Sequence, residues 1–172
     1  MFKQTGEETT NTYMMQKFLA NSIVILTTGA LGLSAFAIPQ SAKSEQTRKS
    51  CEVAIANANE RITTGRSITL SSNIVDGTQT YSDHPDKRPQ IVQIRLNGKE
   101  AESMMRSPVF QKAIASEIIN SCGSVGAVIF AIAQTDWAST FGLMPNGSIK
   151  KFECVTPDRE RNKPSWGQTV CI

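Results

Sequence analysis

The chain has 172 residues, 19% charged and 6% aromatic, with 18 Lys and Arg against 15 Asp and Glu for a formal net charge of +3. Both signs of charge are spread along its length, so there is no electropositive stripe and a nucleic-acid partner is not expected. No segment has the composition of long intrinsic disorder, and no repeat recurs at a fixed period.

Residues 18–37 are the most apolar stretch. They are about long enough to cross a bilayer, but Asn21, Ser22, Thr27, Thr28, Gly29, Gly32 and Ser34 interrupt them. Lys17 precedes the run, Ala35-Phe36-Ala37 supplies a small-x-small cleavage pattern, and Pro39 follows. Residues 1–37 therefore read as a signal peptide cut after Ala37. Glu7 and Glu8 are foreign to such a leader, which suggests a true start at Met14 or Met15. The alternative is a retained anchor at 18–37, making the chain a membrane-tethered accessory protein; contact with a membrane is expected only through that segment.

Residues 38–50 are polar and read as a flexible leader, with a single α+β domain over 51–172. A first helix is expected from Cys51, with Cys51, Ala54, Ile55, Ala58 and Ile62 on one face, Ser50 as its cap and Gly65 as its stop. Ile68, Leu70, Ser72 and Ile74 alternate, and Asp76-Gly77 signals a turn, which predicts two short strands or a ragged hairpin. After the proline-rich loop at 83–89, Val92, Ile94 and Leu96 alternate with Gln93 and Arg95 as a half-buried strand. A short helix follows near 98–106. A longer one opens with Ser107 as cap and Pro108 in its first turn, and is expected to turn Phe110, Ala113, Ile114, Glu117, Ile118 and Ser121 inward. The apolar run after Gly123 reads as a strand covered on both faces, and 137–155 as a hairpin turning at Pro145-Asn146-Gly147. The tail is expected to be loop. The element order gives an α+β fold: an antiparallel or mixed sheet of about four to six strands with two main helices on one face.

All the cysteines, Cys51, Cys122, Cys154 and Cys171, follow residue 37. An even count in an exported chain reads as disulfides, and neither the spacing nor the single histidine, His84, suits a zinc site. Spacing alone permits three pairings. The favoured one is Cys51–Cys122, joining the start of the first helix to the end of the second, with Cys154–Cys171 pinning the tail.

No catalytic, cofactor-binding or metal-ligating residue is assigned. His84 with Asp83 and Asp86 reads as a solvated turn. Trp137 and Phe141 read as core at a strand end, and Trp166 as lying on the surface or covering a core edge. Asp136, Trp137 and Trp166 are the candidate ligand-surface residues, where an aromatic ring could meet a glycan or a partner. The expectation is an exported, periplasmic or extracellular, disulfide-containing binding or structural module without a cofactor. The alternative is a hydrolase with carboxylates assembled by the fold, for which Asp136 and Glu153 are the candidates.

Overall fold

A computed structural model describes residues 40–156 and 163–171; the signal-peptide reading of residues 1–37 lies outside them. The elements are α1 (Gln40–Thr63), β1 (Thr69–Asp76), β2 (Gln90–Asn97), α2 (Ala101–Met105), α3 (Pro108–Ser121), β3 (Val125–Ile132), β4 (Ala138–Leu143), β5 (Ile149–Lys151), β6 (Glu153–Val155) and β7 (Gln168–Val170). β1 to β5 form one mixed sheet in sequence order, antiparallel except for β2 and β3. A parallel neighbour needs a crossover. The α2–α3 segment supplies it, and α1 packs beside α3 over the sheet. The expected α+β architecture, with its main helices on one face, is what the chain forms.

α1 begins at Gln40, so the residues expected as a flexible leader are its first turns from there to Ser50. Ala42, Lys43, Glu45, Gln46, Arg48 and Lys49 are good helix formers, and Arg48 pairs with Glu52 one turn on, at 3.7 Å. Ser50 is consequently not a cap; its hydroxyl donates to the carbonyls of Thr47 and Ser121. Downstream, Cys51, Ala54, Ala58 and Ile62 are buried as their spacing predicts.

β1 is a single strand that pairs with β2 over its full length without a bulge. Asp76-Gly77 does not close a hairpin. Asp76 instead caps a 3₁₀ turn at Gly77–Gln79, accepting from Thr78 N at 2.9 Å, and Gly77 N extends the ladder to Pro89 O.

α3 buries Gln111, Ile114, Ala115, Ile118 and Ile119, so its inward stripe is rotated from the expected one and Ala113 faces out. Gln111 decides the rotation. Its amide donates to the carbonyls of Met104 and Met105 at 3.0 and 2.7 Å, satisfying the end of α2. Glu117 lies at the rim, paired with Arg61. Ser107 flanks the helix but makes no side-chain capping bond, while Pro108 holds the first turn as expected.

Two apolar clusters result. The larger lies between helices and sheet and contains Ile62, Val92, Ile94, Leu96, Ile114, Ile118, Val128, Phe130 and Phe141. The smaller gathers Tyr81, Ile91, Ala127 and Phe152, with Val75, Ile129, Met144 and Trp166 against it. Ile91, Ala127 and Gly142 are cross-strand neighbours at positions that alternate with Val92, Val128 and Phe141, so this second cluster covers the opposite sheet face. The tail is not wholly loop: β7 pairs in parallel with β6.

Disulfides join Cys51 to Cys122 and Cys154 to Cys171, the favoured pairing. The first fastens α1 to the end of α3 with a Cα–Cα distance of 4.6 Å, and both its cysteines are buried. The second, with Cα atoms 5.6 Å apart, closes the tail beside the β6–β7 ladder.

Candidate functional site

The second face of the sheet carries the most specific arrangement of side chains. Tyr81, Phe152 and Trp166 meet edge to face, with ring centroids 5.1–5.4 Å apart. Glycine makes room for them. A Cβ on Gly142 would fall 2.3 Å from the Phe152 ring, and one on Gly126 would fall 2.9 Å from the Trp166 indole. β3 and β4 thus present bare backbone where the rings lie. Burial pushes the Tyr81 phenol above its ordinary value.

Trp166 is held from several directions. Its indole Nε1 donates to Leu143 O at 2.8 Å, and its backbone N–H donates to Asp83 Oδ1 at 2.7 Å. Asp83, exposed like His84 and Asp86 as a solvated turn implies, also fastens the loop before β2 to the tail. The neighbouring contact from Ser82 N to Pro164 O, at 3.1 Å, reinforces that attachment. His84 is exposed, with Nδ1 3.0 Å from Pro85 O. Arg88 turns inward, its Nη1 donating to the carbonyls of Ile119, Cys122 and Val125 at 2.7, 3.3 and 3.0 Å. A cation at the C-terminal end of α3 complements the helix dipole and anchors the loop.

A groove of ≈ 450 Å³ opens beside Trp166. The β4–β5 hairpin forms one wall through Met144, Pro145, Asn146, Lys150 and Lys151. Glu153, just before Cys154, forms the other together with Trp166, Gly167 and Gln168 on the segment closed by Cys154–Cys171. Lys150 lies opposite Gly142 and so shares the face of Trp166. Neither Lys150 nor Lys151 makes an ion pair among the described residues.

The candidate surface residues do not converge. Asp136 is exposed in the β3–β4 turn. Trp137 is half-buried against the helix-side cluster, with the Arg106 guanidinium 5.2 Å from its ring centroid. Phe141 is buried in the same cluster, whereas Trp166 belongs to the opposite face. Glu153 is exposed and starts β6. No group of three or more His, Cys, Asp and Glu side chains suited to a metal occurs among the described residues, and no helix among them is long and apolar enough to cross a membrane. The sequence reading missed Tyr81, Phe152, Lys150 and Lys151 as companions of Trp166. Gly126 and Gly142, glycines inside apolar strands, were the signal that something approaches the backbone there.

The chain matches no family model, no curated protein and no solved structure.

Proposed function

We propose that this chain is an exported, disulfide-stapled binding module whose recognition surface is the Trp166 groove and whose ligand is an acidic saccharide. Disulfides persist in oxidising compartments, which supports export. The observation that carries the ligand class is the placement of Lys150, without an ion-pair partner among the described residues, on the same face as Trp166. An indole offers a flat apolar surface for a sugar ring, a lysine a charge for its carboxylate, and Asn146 and Gln168 hydrogen bonds for its hydroxyls. Because the groove is open and its cation exposed, the charge contributes modestly and is screened by salt.

Trp166 is also a built-in reporter once the other tryptophan is replaced. In a Trp137→Phe background, an oligouronate is expected to change Trp166 emission at about 3- to 10-fold lower concentration than a neutral oligosaccharide of equal length. Lys150→Gln is expected to weaken the binding about 3- to 10-fold, the size of one charge-assisted hydrogen bond at an exposed site. Equal responses to acidic and neutral sugars, or affinity indifferent to Lys150→Gln, would rule the reading out.

A further inference from the structure

The two edges of the main sheet are built differently. At one edge β5 is only three residues long and carries Lys150 and Lys151, two devices that discourage pairing with another chain. At the other, β1 runs eight residues, Thr69–Asp76, with no proline, no lysine and no bulge. Gly77 N donates to Pro89 O, which makes Gly77 and Pro89 a hydrogen-bonded pair in register with the β1–β2 ladder. Hydrogen-bonded and non-hydrogen-bonded pairs alternate in an antiparallel ladder. Val75, Asn73, Ser71 and Thr69 therefore bond to β2, while Ile74, Ser72 and Leu70 aim their N–H and C=O groups outward. Leu96 O, opposite Leu70, bonds Ala133 N instead, as this parity requires. The outward backbone groups of Leu70, Ser72 and Ile74 have no partner among the described residues. Ile74 is 45% exposed.

We infer that β1 pairs with β1 of a second copy of this chain, antiparallel, about a two-fold axis at Ser72. The occupant follows from the strand's own pattern. Centred there, Ser72 meets Ser72 and Leu70 meets Ile74 twice, so each exposed Ile74 gains an apolar neighbour. Every facing residue is one whose backbone points outward, which allows about six inter-chain hydrogen bonds. Asp76, the strand's only charge, falls beyond these pairs and meets no like charge. The axis is perpendicular to the sheet, so the helices of both copies lie on one side of a continuous sheet with five strands from each. The Trp166 grooves lie toward the far edges, and the pairing is independent of what they bind.

Sedimentation equilibrium of the purified full chain tests this. The wild type is expected to pass from the mass of one chain to twice that mass by roughly 100 µM, as suits an interface at the small end of the range. Ile74→Lys, which removes the apolar contact, and Ile74→Pro, which removes an outward donor not used by β2, are expected to hold it at one chain. Both should keep the wild-type far-ultraviolet circular dichroism. Ile74→Lys alone decides the matter if the proline variant does not fold. A wild type that remains single at that concentration, as it would if the edge took a strand from a different protein, overturns the inference. So does a dimer that survives Ile74→Lys.

Discussion

Gly142 shows how closely the second face is fitted. A methyl group there would stand 2.3 and 2.6 Å from two carbons of the Phe152 ring, and the backbone beneath belongs to a sheet that does not yield easily. Gly142→Ala is expected to cost about 1–3 kcal/mol in urea denaturation, and to shift Trp166 emission to the red in the Trp137→Phe background. Gly123→Ala is the control, since its added methyl meets only Thr47 at 3.5 Å, and is expected to change stability by less than about 0.5 kcal/mol. Apolar positions were largely legible residue by residue, because alternation and helical spacing are local. Polar positions held by distant partners were not. Arg88, half-buried, is held by carbonyls 31, 34 and 37 residues away, and the exposed Asp83 by a tail amide 83 residues away. No local pattern announces a partner so distant in sequence. Gln111 is the instructive exception, for its partners lie only 6 and 7 residues back; what hid it was an amide in an otherwise apolar stripe.

Among the elements, those set by short-range signals were the easiest to read. β2, β3, the β4–β5 hairpin and the proline-led α3 stand where periodicity and turn residues place them. α1 extends further than expected because its first turns lack apolar spacing while still consisting of good helix formers. β6 and β7 are three residues each and depend on their pairing with one another, which a linear pattern does not disclose. The two disulfides divide along the same line. Cys51–Cys122 spans 71 residues and Cys154–Cys171 spans 17, so loop closure alone predicts about 4 and 3 kcal/mol respectively. Their local effects should differ more than these totals. With Cys154 and Cys171 both replaced by Ser, hydrogen exchange is expected to quicken at Gln168–Val170 and around Trp166 while β2 and β3 stay protected. With Cys51 and Cys122 both replaced, protection should fall across the helix layer and the sheet together. Equal loss throughout in both variants would contradict this division.

At the scale of the whole molecule, one sheet serves two faces and two edges. Its helix face holds the main core, its other face carries the aromatic cluster and the groove, the β5 edge is guarded, and the β1 edge is open to pairing. The α+β class was legible because a helix, strands, a helix and further strands alternate in length and period along the chain. That β3 is covered on both faces was legible from its continuous apolar run, but the partners of Trp166 on the second face were not, because Tyr81 and Phe152 come from other segments and carry no local signal. Function rests on the compartment, since the disulfides and the proposed ligand both belong outside a reducing cytosol. Mass spectrometry of the protein recovered from its native host, intact and after non-reducing digestion, tests that most directly. The account predicts a chain beginning at Ile38, four hydrogens lighter than its reduced form, with Cys51 linked to Cys122 and Cys154 to Cys171. A chain that keeps the segment through Ala37 and carries four free thiols would contradict it.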